Sequence, residues 1–211
     1  VNCSDISAVL VTKGDVDLSP ILESLPFDDI VVWDNSKRKL DVKVYGRYLG
    51  IAEAKHEWIY VQDDDCVVPV REFIERAEKG AGPLSPICDN RMTQEEIACN
   101  IPSPGHRRAY APLGISLVGW GALFHRNLRF CFDRYFGVLP FDDLFYRECD
   151  RVFTALNPFF ELDLPIRRLE YESNSDRMWK QPGHGDDLRK ILHRIAAVKA
   201  STSASFAEAT R

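Results

Sequence analysis

The sequence predicts an α/β fold, with a mixed, mostly parallel sheet flanked by helices in a single domain. Short β-branched apolar runs alternate with helical segments over the first 70 residues, and strands separated by helices pair in parallel through crossovers. Three of these runs end in polar clusters: Thr12-Lys13-Gly14-Asp15, Asp34-Asn35-Ser36 and Asp63-Asp64-Asp65. The chain has 211 residues, 45% hydrophobic and 28% charged, which suits one domain with a substantial core.

Each element has its own signal. Ile6 to Thr12 and Ile30 to Trp33 are β-branched runs, and Ser19 to Leu25 between them is a short helix. Val42 to Val44 reads as a third strand, Gly46 to Lys55 as a helix, and Trp58 to Val61 as a strand running into the three aspartates. A helix follows over Val70 to Lys79. Residues Gly80 to Pro112 form a Pro-rich excursion carrying Arg107 and Arg108, long enough to be a binding loop. Tyr110 to Val118 and Gly121 to His125 read as strands. Phe141 to Leu156 is the clearest helix, because Phe141, Leu144, Phe145, Cys149, Val152, Phe153 and Leu156 fall on one face. Ile166 to Tyr171 is a late strand and Asp187 to Lys199 a closing helix. Residues 201–211 are small, with no reason to be ordered. The single domain is therefore expected over 1–200, with one half within 1–70 and the other within 80–199.

Composition narrows the function. Lys and Arg total 27 against 32 Asp and Glu, a net charge of −5, so the whole chain has no general pull toward nucleic acid or anionic lipid. No run approaches the ~18 apolar residues of a membrane span. Six scattered cysteines without a CxxC pair point to free thiols in a reducing compartment, and the expected location is cytoplasmic.

Parallel sheets bind ligands beyond the carboxyl ends of their strands, which is where the polar clusters fall. Asp63 and Asp65 lie two apart at a strand end. In extended geometry they project to one side and converge on a cation, while Asp64 points away. Adjacent carboxylates repel by about 1 kcal/mol per pair at about 4 Å in water and by more at lower dielectric, and a divalent ion relieves that cost. The plain alternative is a solvated acidic turn.

Two enzyme classes place DxD after an apolar strand. Asp63-Asp64-Asp65-Cys66-Val67 matches the DxDx[TV] pattern of haloacid-dehalogenase-like phosphotransferases, with Lys180 and Gly185-Asp186-Asp187 as later motifs, but that family puts its nucleophile on the first strand of the core. Over residues 6 to 160 the ordered set Ile6–Thr12, Ile30–Ser36, Gly46-Arg47-Tyr48 and Ile59–Asp65 resembles the GT-A glycosyltransferases, in particular their family-2-like members. The resemblance implies a Rossmann-like GT-A fold and a metal-dependent transfer from a nucleotide diphosphate sugar, most simply a UDP-sugar. It implies that Thr12 cradles the nucleobase, Asp34 pairs with it and Arg47 faces the nucleotide. Asp63 then meets the ribose and Asp65 the metal, with Asp63 and Asp64 inside the donor site. Mn2+ or Mg2+ suits such an all-oxygen site, and a Lewis acid stabilises charge growing on the leaving diphosphate.

The same resemblance implies an acidic base ahead of a helix, which matches Asp143 and, close behind it, Asp142; an Asp at a helix start is equally favoured by capping alone. A single displacement with this base inverts the sugar. Trp120 and Gly121, in Gly119-Trp120-Gly121-Ala122, fall where the family lines the donor sugar. His184, in a Gly-flanked segment, is a candidate third metal ligand, and Lys180 a candidate diphosphate contact. Acceptor recognition carries no readable motif, so glycan, lipid-linked sugar, metabolite, protein and modified nucleic acid all stay open. A metal-dependent phosphohydrolase or nucleotidyltransferase, and a non-catalytic nucleotide-sugar-binding module, are the rival readings.

Overall fold

The computed structural model describes residues 2–77, 84–85, 118–157, 159–161, 165–171, 177 and 182–209. It is a mixed α/β structure built on a six-stranded sheet in the order β2-β1-β3-β6-β5-β7. The strands are β1 (Ile6–Thr12), β2 (Asp29–Asp34), β3 (Trp58–Asp63), β5 (Leu84–Ser85), β6 (Ala122–His125) and β7 (Phe160–Glu161). Every residue of β1 is buried, as its apolar run Ala8–Val11 requires of a central parallel strand, and its polar Ser7 donates to Asp29 at 2.6 Å. It pairs in parallel with β2 and β3, in a register that sets Thr12 opposite Asp34 and Val11 opposite Asp63. The three polar strand ends are thereby aligned on one edge. β6 pairs antiparallel with β3, so the two halves of the chain share one sheet.

Alternation along β1 divides the core. Ala8 and Leu10 face a cluster with Ile21, Tyr60, Val70, Ile74 and Leu123, served by α1 (Ser19–Leu22) and α3 (Val70–Ala77). Val9 faces the other cluster, where α2 (Gly46–Gly50), α4 (Cys131–Phe136), α5 (Asp143–Leu156) and α6 (His184–Ala209) pack. Glycine is needed at Gly46 because a Cβ there would lie 2.2 Å from the Trp33 ring.

Several expectations change. Val42 to Val44 is not a strand: residues Lys43–Tyr45 form a 3-10 turn with Lys43 at φ 53°. Side chains capture this backbone. Asn35 accepts from Val42 N at 3.2 Å and donates to Lys43 O at 3.1 Å, and Asp41 accepts from Lys43 N at 2.9 Å. The helix from Gly46 stops at Gly50. The helix expected from Phe141 starts at Asp143, with Asp142 as its cap. The late strand shrinks to β8 (Arg167–Arg168), which pairs with β4 (Cys66–Val67) in a separate two-stranded sheet. The closing helix begins at His184 and continues to Ala209, so the tail expected to lack order is helical over most of its length, in keeping with its Ala content. The helix α4, preceded by a 3-10 turn at Arg126–Phe130, has no counterpart among the expected elements. Most of the Gly80 to Pro112 excursion, with Arg107 and Arg108, lies outside the described residues, as does the expected strand from Tyr110 up to Val118.

Candidate active site

A cleft of about 480 Å3 opens at the carboxyl ends of β1 and β3, and Thr12, Asp63, Asp64, Asp65 and His184 all line it. β3 ends at Asp63 and the chain turns at once, so the three aspartates do not alternate as in an extended strand. Asp64, expected to point away, is buried and lines the cleft with its neighbours. Its Oδ2 accepts from Thr12 Oγ1 at 2.7 Å and its Oδ1 from Arg177 Nη1 at 2.7 Å. Thr12 Oγ1 in turn accepts from Gly14 N at 2.9 Å, which ties the end of β1 to the acidic turn.

Asp63 is gripped from two sides. Arg47 forms an ion pair with its Oδ1, and on the other side Gly119 leaves room for Oδ2, since a Cβ on Gly119 would lie 2.1 Å from that oxygen. Burial pushes the Asp63 carboxyl up to about 7, against the pull of Arg47. Asp65 is also raised by burial, opposed by Arg177. Its Oδ1 is buried with no hydrogen-bond partner, which costs free energy unless something pairs with it.

Arg47 does not face the cleft, contrary to expectation. Its side chain is 0% exposed, behind Asp63, and its Nη1 lies 3.1 Å from Asp150 Oδ2 in α5. Asp150 Oδ1 accepts from the Tyr48 hydroxyl at 2.7 Å. Asp34 caps its own turn: Oδ1 accepts from Ser36 N at 3.0 Å and Ser36 Oγ at 2.7 Å, and Oδ2 pairs with Lys37 at 2.8 Å. It does not line the cleft, whereas the next residue, Asn35, does. Trp120 lies beneath Arg168, whose guanidinium is 4.2 Å from the ring centroid, and neither Trp120 nor Gly121 lines the cleft. Gly121 has φ 104°, which suits the turn into β6. Lys180 lies outside the described residues.

The two candidate bases have other duties. Asp142 Oδ1 accepts from Phe145 N at 2.9 Å as the cap of α5, and Arg194 holds both its oxygens at 2.8 and 2.6 Å. The Arg194 hydrogen bonds keep the Asp142 carboxyl below its ordinary value. Asp143 is largely exposed and pairs with Arg147 at 3.1 Å. Neither lines the cleft. Further along α5, Glu148 lies behind the cleft-lining His184 and does not itself line the cleft. It is 5% exposed and burial pushes it up to about 7. His184 Nδ1 lies 3.2 Å from Glu148 Oε1, and burial holds the imidazole below its usual pKa, hence neutral at pH 7. Sequence reading passed over Glu148 and Asp150 because a helix that already explains its apolar face leaves its remaining acids looking like surface.

Protein-family models give no match to the chain, and curated proteins give none. The fold itself is that of a mixed α/β protein with a mostly parallel sheet, compatible with a Rossmann-like arrangement. Among the described residues no helix is long and apolar enough to cross a membrane, and no three His, Cys, Asp or Glu side chains are gathered as a ready metal cage. The orphaned Asp65 oxygen still fits a cation, because Mg2+-type sites take one or two carboxylates and draw their other oxygens from substrate phosphates and water. The four described cysteines, Cys3, Cys66, Cys131 and Cys149, are free.

Proposed function

We propose that the chain is a metal-dependent glycosyltransferase of GT-A type that moves a sugar from a nucleoside diphosphate sugar, most simply a UDP-sugar, to an acceptor hydroxyl. The observation that carries this reading is the buried, unpartnered Asp65 Oδ1, on a residue that lines a cleft at the carboxyl ends of parallel strands together with Asp63 and neutral His184. Asp65, with Asp63 beside it, would hold Mn2+ or Mg2+, which supplies charge stabilisation to a leaving diphosphate; His184, expected as a third ligand, lines the same cleft but is not gathered with them into a three-ligand group.

The protein's own groups do the rest. Lys13, Lys43 and Arg147 line the same cleft and offer positive charge to phosphates. Asn35 holds the backbone of residues 42 and 43 at its wall. Glu148 is the base in this reading, in place of Asp142 and Asp143, and it receives the proton through His184, which lines the cleft 3.2 Å from its carboxylate. A carboxyl near 7 both ionises at neutral pH and binds a proton well, as a general base must. It takes the acceptor proton while the acceptor oxygen bonds to the anomeric carbon and the bond to diphosphate breaks, a single displacement that inverts the centre.

The test is release of UDP from UDP-sugars in the presence of Mn2+. Asp65→Ala is expected to abolish release together with donor binding, and Glu148→Gln to abolish turnover while donor binding persists. Turnover unchanged in Asp65→Ala refutes the reading.

A further inference from the structure

The Arg47 contacts raise a question about charge. A fully buried guanidinium bound to Asp63 alone would neutralise it and leave it little attraction for a cation. Arg47 is instead shared between two carboxylates from different elements, Asp63 at the end of β3 and Asp150 in α5. With both carboxylates ionised, as on a bound cation, the group of three keeps one net negative charge. Asp150 is fixed for this task, since its other oxygen accepts from Tyr48, on the same short helix as Arg47. Gly119, lacking a Cβ, leaves the space that Asp63 Oδ2 occupies on the side away from Arg47.

We propose that Asp150 is a positioning residue: by sharing the buried Arg47 guanidinium it keeps Asp63 oriented, and keeps Arg47 from neutralising it outright, for a divalent cation that Asp150 itself does not touch. This deepens the metal reading and rests on it. On this reading the acidic turn depends on α5, which supplies one of the two carboxylates paired with Arg47.

The experiment is a Mn2+ titration of the full chain without nucleotide, alongside its thermal midpoint without metal. Asp150→Asn keeps the shape and the acceptor for Tyr48 but removes the charge, and is expected to weaken Mn2+ binding about tenfold, the usual scale for groups that support a metal ligand. Asp150→Glu restores the charge and is expected to recover most of that affinity. Tyr48→Phe removes the hydroxyl contact alone and should stay within about twofold of wild type. Asp133→Asn, which removes an exposed charge on α4, controls for net charge and should leave affinity unchanged. Wild type that binds no Mn2+ overturns the metal reading and this inference with it. Wild type that binds while Asp150→Asn matches it overturns the inference alone. Equal losses in Tyr48→Phe and Asp150→Asn, or an Asp150→Asn chain that does not fold, also overturn it, because either would make Asp150 a packing residue.

Discussion

Asp142 separates a structural from a catalytic account of the start of α5. In Asp142→Ala the helix loses its cap, the bond to Phe145 N at 2.9 Å, which costs about 1 kcal/mol. It also loses the two-pronged pair with Arg194. With the Asp142 side chain 36% and the Arg194 side chain 24% exposed, solvent screening reduces that pair to about 0.5–1 kcal/mol. The sum, about 2 kcal/mol, lowers the thermal midpoint of a chain this size by roughly 4–8 °C. Asp142→Asn retains a competent cap and should lose only about half as much. The pH dependence has a definite sign. Arg194 depresses the folded-state pKa of Asp142, so its stabilisation is complete above the unfolded value near 3.8 and is lost as pH falls through the lower folded value. The gap between wild type and Asp142→Ala should therefore close in strong acid. Thermal denaturation across pH, with UDP release measured well below both midpoints, makes the test. An Asp142→Asn protein that melts like wild type yet loses more than about a hundredfold in turnover would refute this reasoning and make Asp142 the base.

Two further predictions follow from the same geometry. Gly119→Ala sets a methyl group where Asp63 Oδ2 now lies, so it should displace that carboxylate, cost about 1–3 kcal/mol in denaturant unfolding and weaken Mn2+ binding at least tenfold by titration. Glu148 has a folded-state pKa raised from 4.5 to about 7, so the folded chain holds the proton more tightly and stability contributed by this group falls as pH rises through that window. Glu148→Gln should remove that slope in equilibrium unfolding, gaining on wild type at about pH 8 relative to about pH 5; an unchanged slope would show that Glu148 is not held protonated by burial.

The sheet was legible because its central strands carry apolar, partly β-branched runs, Ala8–Val11 and Trp58–Val61. Ile6–Thr12 carries enough β-branched burial to be read alone, and the polar clusters that end β1, β2 and β3 lie on one edge as parallel pairing demands. Misreadings arose where a side chain redirects the backbone or a residue acts at long range. Val42 and Val44 look like strand, but Asn35 captures the segment from seven residues away. Arg47 looks like a ligand contact because it precedes β3, and only the fold shows it buried between Asp63 and Asp150. Asp142 and Asp143 attracted attention as an acidic pair ahead of a helix, the same pattern that capping produces. Glu148 becomes visible only when α6 brings His184 against it, across a sequence gap with no periodic signal.

The proposed transferase requires a cation at Asp65 beside a nucleoside diphosphate. A thermal-shift titration of UDP and UDP-sugars, with and without Mn2+, on wild type and Asp65→Ala tests it most directly. Ligand at about a hundred times its Kd adds about 2.7 kcal/mol to folded-state stability, or roughly 5–10 °C for this chain. A shift of that size that requires both Mn2+ and nucleotide in wild type, and is lost in Asp65→Ala, is the predicted result; a shift indifferent to Mn2+ and to Asp65, or none with any of these nucleotides, contradicts the account.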